Sequence, residues 1–184
     1  MSKSVSTTRR LSLQKLVCAA LCLSLCIVLP FLTGQLRDLG NALLPMHLPV
    51  LLCGLLCGWQ YGLAVGFLAP LLRSLMFSMP PMFPGAVGMC VELAIYGLVI
   101  ALAYRFLPKK TGFIYVSLLI AMVAGRLAGG AFKLVLLGLG QIKSYSLALF
   151  LSGYVTEALP GIILQIILVP LLFLALRRAR GVPA

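Results

Sequence analysis

The chain has 184 residues, of which 62% are apolar and 10% charged, and its formal net charge is +12. Apolar runs of this extent leave no room for a soluble domain, so the composition indicates one integral membrane domain. In a soluble protein, 15 basic against 3 acidic residues would suggest nucleic acid binding. Here most basic residues flank the apolar runs, which favours a topology signal and no nucleic acid partner.

The hydropathy pattern predicts an all-α bundle of six transmembrane helices. The predicted spans are residues 13–32, 44–58, 62–78, 84–104, 113–137 and 147–176, with a tight turn at GWQYG (58–62). Residues 1–12 and 177–184 are predicted to be basic cytoplasmic tails. A single helix over 47–77 would instead give five spans. Six spans place ten basic residues on one side of the membrane and three on the other, which supports six spans with both termini in the cytoplasm.

Residues 47–97 organise the rest of the chain. Gly54, Gly58, Gly62 and Gly66 recur every fourth residue, a spacing that lets membrane helices pack closely. The six cysteines all lie in apolar runs and form no CxxC pair, so they are interpreted as packing residues. The sequence contains no nucleotide-binding loop and no HExxH or GxSxG motif. We therefore expect no catalytic residues, no metal site, no cofactor and no enzymatic activity.

Ionisable residues inside apolar runs are energetically expensive and often functional. Five of them lie within or at the edge of the predicted spans: Arg73, Glu92, Arg126, Lys133 and Glu157. Helical spacing places Tyr96 beside Glu92, and Lys133 on the face of Arg126. It also places Glu157 with Gly153, Gly161 and Gln165. A shared cavity opening outward would explain this set, and so would internal ion pairing without a ligand.

The loops 33–45, 77–84 and 138–146 are predicted to face the outside and to close over such a cavity. Asn41 lies in the first of these loops, and His47 begins the second span. Both are included as candidate binding residues. A lone histidine at a helix start is also a common structural residue, so that alternative stays open for His47.

Two segments carry a resemblance to a known family. LPVLLCGLLCGWQYGLAVGFLAPLLRSL and MPPMFPGAVGMCVELAIYGL, together with six short spans and basic ends, resemble the substrate-binding S component of an energy-coupling factor (ECF) transporter. The resemblance covers residues 14–176. Among S components, the block 47–97 is most similar to those of the pantothenate type. It implies capture of a water-soluble vitamin in an outward-facing pocket, in a bacterial plasma membrane. It also implies a transmembrane coupling protein (T component) and two ABC-type ATPases as partners.

The resemblance further implies a small-residue face on the first span that docks to the coupling protein. Ala20 and Ser24 stand where that face would be. For an anionic vitamin such as pantothenate, Arg126 and Lys133 would meet the carboxylate, with Arg73 as an alternative nearer the surface. A rival hypothesis is a structural or regulatory membrane subunit that has no ligand and pairs its charges internally.

Overall fold

A computed structural model describes residues 2–32, 44–141, 146, 152–153 and 158–179, with side chains from Leu13 onward. Over these residues the chain is helical and contains no strand. The described residues form six α-helices: α1 (Ser2–Leu32), α2 (His47–Cys57), α3 (Trp59–Phe77), α4 (Val87–Phe106), α5 (Thr111–Gly138) and α6 (Leu159–Ala179). The predicted all-α fold with six helices is confirmed. The segment Met82–Ala86 adds a short π-helical turn before α4.

Gly58 is the only residue between α2 and α3, so the turn predicted over 58–62 was too long. Its φ of 100° lies in a region that glycine adopts without steric strain. The Gly58 N–H donates to Gly54 O at 3.1 Å, and its carbonyl accepts from the N–H of Gly62 at 3.0 Å. Residues 59–62 are therefore the first turn of α3, and the break excludes a single helix over 47–77.

The other helix ends differ by a few residues from the predicted spans. Helix α1 already begins at Ser2, so it includes the segment assigned to the N-terminal tail. Helix α6 ends at Ala179 and begins at Leu159, with Pro160 in the first turn, where its missing N–H leaves no helix bond unmade. Most of the predicted sixth span before Leu159 lies outside the described residues.

Helix α2 is short and lies inside the bundle. Five helical segments are long and apolar enough to cross a membrane, but α2 has only 11 residues, or about 16 Å of rise. Nine of the 11 residues are buried, and α2 packs against α1, α3, α4 and α6. A helix of this length cannot span about 30 Å of hydrocarbon by itself. Its ends therefore lie at different depths in the bundle.

Helices α2, α3 and α4 meet at glycines. A Cβ added at Gly54 would lie 2.6 Å from Gly97 O, and one at Gly62 would lie 2.9 Å from the Cα of Gly54. Gly66 approaches the backbone of Leu93 on α4 in the same way. Backbone therefore touches backbone along this seam, as the fourfold glycine spacing predicts.

The cysteines pack where α1 meets α2. Cys22, Cys26 and Cys53 are buried and belong to the apolar core. The thiol of Cys26 donates to Met46 O at 3.5 Å, which ties α1 to the residue before α2. The cysteine row of α1 therefore faces inward, and the opposite face of that helix is exposed.

Candidate functional site

A buried pair of polar side chains joins the start of α2 to α4. His47 Nε2 lies 3.5 Å from Glu92 Oε1, and the two residues are only 2% and 7% exposed. His47 is the first residue of α2 and is buried there. Glu92 is the only carboxylate side chain among the described residues, so the His47–Glu92 contact is the sole acidic point in the described bundle.

Tyr96, one turn after Glu92, links this pair to α5. Its ring is fully buried and meets the His47 ring edge-on, with 5.1 Å between ring centroids. Its hydroxyl accepts a hydrogen bond of 3.0 Å from Arg126 Nε. Gly125 makes this possible, because a side chain there would collide with the Tyr96 ring. The result is a polar chain running from α2 through α4 to α5.

Lys133 extends this polar chain toward the C-terminal end of α5. It is half-buried, lies seven residues after Arg126, and interacts electrostatically with Glu92. Within the described residues, Glu92 thus contacts His47, interacts with Lys133, and lies one turn from the tyrosine that holds Arg126. Coulombic interactions are strong in a low-dielectric interior, so Arg126 and Lys133 can attract an anionic group.

Three buried polar atoms near the bundle interior lack a hydrogen-bond partner within the part of the chain that the structure describes. They are Nδ1 of His47 and both side-chain polar atoms of Gln165, a residue that is 1% exposed. Buried polar groups are nearly always satisfied in native proteins, so such atoms suggest contact with a ligand or water. Gln165 is not among the predicted site residues. The available signal was a single amide in the apolar run IILQIIL of α6.

Arg73 is held away from this cluster. Its Nη1 donates to Ile27 O on α1 at 2.8 Å, and its guanidinium lies 5.1 Å and 5.8 Å from the ring centroids of Phe31 and Phe77. The residue is 4% exposed, so it is enclosed and does not extend toward the surface. The structure therefore gives Arg73 a contact between α1 and α3, and brings together His47, Glu92, Tyr96, Arg126 and Lys133.

Two predicted binding residues, Asn41 and Glu157, lie outside the described residues, as do positions 33–43 and 142–145 of the predicted outer loops. The predicted docking residues are described. Ala20 and Ser24 are exposed on α1, and the Ser24 hydroxyl donates to Ala20 O at 3.0 Å. Both are therefore on the face opposite the buried cysteines.

A charged, incompletely satisfied polar site inside an apolar helix bundle is typical of membrane proteins that bind a solute. The sequence profile of the family "ECF transporter, substrate-specific component" matches residues 14–173, and the chain belongs to this family. It is thus a multi-pass, substrate-binding membrane subunit of an ECF importer and not an enzyme. Membership implies a T component and ATPases as partners in general. No curated protein and no solved structure gives a significant match to the chain.

Proposed function

We propose that this subunit captures a small water-soluble vitamin bearing a carboxylate, with pantothenate as the candidate, from outside a bacterial plasma membrane. A T component and two ABC-type ATPases would then drive its delivery inward. The observation that carries the proposal is the polar cluster, in which Arg126 and Lys133 lie near Glu92 and near a buried His47 whose Nδ1 lacks a hydrogen-bond partner among the described residues. A ligand-free structural subunit would leave this buried nitrogen unsatisfied, at a cost of roughly 1–3 kcal/mol.

The chemistry of the cluster suits such a ligand. Arg126 and Lys133 would bind the carboxylate, because charge-assisted hydrogen bonds strengthen when water is excluded. Glu92 and the unsatisfied atoms of His47 and Gln165 would then meet hydroxyl and amide groups. Pantothenate carries all three kinds of group.

A pair of ligands tests the role of the carboxylate. Purified protein is melted with pantothenate and with pantothenol, which has an alcohol in place of the carboxylate. A bound ligand at a hundredfold excess over its Kd stabilises the folded state by about 2.7 kcal/mol. We expect stabilisation by pantothenate and little by pantothenol. A wider vitamin panel identifies the ligand if another anionic vitamin stabilises better, and stabilisation by none supports the structural subunit.

Variants connect that effect to the site. Arg126→Gln and Lys133→Gln should each weaken pantothenate binding by at least tenfold, since each removes a charged partner worth roughly 1.5–3 kcal/mol. Lys110→Gln is the matched control, because Lys110 is exposed at the other end of α5. Unchanged affinity in folded Arg126 and Lys133 variants would place the carboxylate elsewhere.

Docking to the T component is proposed on the exposed face of α1 that carries Ala20 and Ser24. Small side chains allow a partner helix to approach closely, and added volume prevents it. Ala20→Trp and Ser24→Trp should therefore reduce co-purification with the T component while leaving vitamin binding intact. Leu119→Trp adds volume to an exposed position of α5 and serves as the control. Equal co-purification of all three variants would move the docking face off α1.

Both termini are proposed to lie in the cytoplasm, on the basis of the charge asymmetry. In a cysteine-free background, single cysteines at Lys109 and Arg178 should resist an impermeant thiol reagent added outside cells. A cysteine at Ser78, exposed just after α3, should react. Labelling of the first two positions and protection of the third would invert the topology.

A further inference from the structure

A cavity lies at the C-terminal end of α2, the end away from His47. It has a volume of about 400 Å³, within the range of roughly 300–1,000 Å³ that small-molecule sites occupy. Its lining combines Lys15 of α1, the turn around Gly58, the last residues of α4, and Lys109. Four separate parts of the chain thus enclose one space at the basic end of the bundle. None of these residues belongs to the cluster around Glu92.

The charge in this cavity has one sign. Lys15, Arg105 and Lys109 line it, and no carboxylate appears in its described lining. A fourth cation is close, because Arg177 Nη1 donates to the Tyr104 hydroxyl at 3.2 Å. Like charges gathered without a counterion repel each other, so the arrangement is stabilised when an anion enters.

The aromatic part of the lining is held firmly. Tyr104 meets Phe173 edge-on at 5.3 Å between centroids, and Lys109 Nζ lies 5.8 Å from the Tyr104 ring centroid. The start of α3 also opens onto the cavity at Gly58, Trp59 and Gln60, and no side chain caps it. Its first N–H groups add to the donors that an anion would meet.

The residues around the cavity are of the types that surround a lipid headgroup at a membrane surface. Trp59 is 41% exposed, and tryptophan and tyrosine are enriched where membrane meets water. Leu13 and Leu16, beside Lys15, are 60% and 55% exposed and so present apolar surface to acyl chains. Basic pockets between membrane helices on the cytoplasmic side bind anionic headgroups. We propose that the phosphate of an anionic phospholipid from the cytoplasmic leaflet occupies this cavity.

Trp59 makes the proposal directly measurable, since it is the single tryptophan of the chain and lines the cavity. The full chain is placed in nanodiscs containing phosphatidylglycerol or phosphatidylcholine with brominated acyl chains, and quenching of its fluorescence is recorded. We expect several-fold stronger quenching by brominated phosphatidylglycerol at equal mole fraction. Each basic residue near an anionic headgroup contributes roughly fivefold in binding. The triple change Lys15→Gln, Arg105→Gln and Lys109→Gln should abolish the preference.

The matched control is a double change, Lys110→Gln with Arg178→Gln, which removes exposed basic residues that do not line the cavity. It should retain the preference. Equal quenching by both lipids, or a preference that survives the triple change, would overturn the proposal. So would a saturable response of Trp59 to inorganic phosphate in detergent without any lipid preference, which indicates a free anion. If Trp59 fluorescence responded only to added T component, the cavity would be a protein contact and not a lipid site.

Discussion

The glycine seam of α2, α3 and α4 and the polar cluster around Glu92 share α2 and α4 but are built in opposite ways. At the seam, Gly54, Gly62 and Gly97 bring backbones together until no side chain fits between them. At the cluster, the buried Nδ1 of His47 lacks a partner among the described residues, as do the side-chain amide atoms of Gln165 on α6. The contrast suggests that close packing is concentrated where the helices must be fixed. The nearby polar groups can then keep their positions while no ligand is bound.

The largest expected effect comes from breaking the seam. Gly62→Leu would place a side chain against the backbone of Gly54 and Gly97, neither of which can move aside without shifting a helix. We expect a loss of about 3 kcal/mol or more in unfolding free energy, seen as a low melting temperature or little monodisperse protein. Gly112→Leu is the control, since nothing lies within 4 Å of its added Cβ. Equal behaviour of the two variants would show that the seam is not tight.

A change at Arg73 tests whether this buried cation contributes to stability and not to ligand binding. Arg73→Met removes the hydrogen bond to Ile27 O and the contacts with Phe31 and Phe77. A hydrogen bond from a charged group contributes roughly 1.5–3 kcal/mol, so stability should fall by about 2 kcal/mol. Ligand affinity, measured by isothermal titration, should stay within twofold. Arg126→Met is the comparison and should lower affinity, whereas a large affinity loss in Arg73→Met would return Arg73 to the site.

Gln165 should respond with opposite signs in stability and binding. Gln165→Leu removes a buried amide that lacks a partner in the described chain, a defect that costs about 1–3 kcal/mol. The unfolding free energy of the ligand-free variant should therefore rise by about 1 kcal/mol, which is seen as a higher melting temperature. Its affinity for the vitamin should fall about tenfold. Gln141→Leu, at an exposed position after α5, should do neither. A destabilised variant with normal affinity would show that the amide is structural.

The smallest effect is expected at the Tyr96 hydroxyl. Tyr96→Phe removes the acceptor of the Arg126 bond but keeps the ring on Gly125, so stability should fall by about 1 kcal/mol. Affinity should fall as well, because Arg126 loses its orientation. Tyr104→Phe removes a similar bond to Arg177 at the opposite end of the bundle. It should lower stability alone, and an equal loss of affinity in both variants would point to a general loosening.

Much of the fold follows from the sequence because the bilayer constrains it strongly. Long apolar runs, glycine spacing and basic flanks predict the six helices and the seam. Helical spacing also predicts which ionisable residues share faces, and His47, Glu92, Tyr96, Arg126 and Lys133 do lie together. The position of Arg73 does not follow from spacing, because the carbonyl it reaches belongs to α1, 46 residues away. The role of Gln165 does not follow from spacing either, because it depends on the burial of its amide in the folded bundle.

The short length of α2 has an electrical consequence. Helix α2 rises only about 16 Å, so in the proposed topology, with its C-terminal end at the inner membrane boundary, His47 would lie near the middle of roughly 30 Å of hydrocarbon. An anion that reached His47 from outside would then have crossed about half of the transmembrane voltage. Moving one charge across the full voltage requires about 2.3 kcal/mol per 100 mV, so half requires about 1.1 kcal/mol. In a cell with a negative interior of 100 mV, such a ligand would bind about sixfold more weakly than in a detergent micelle.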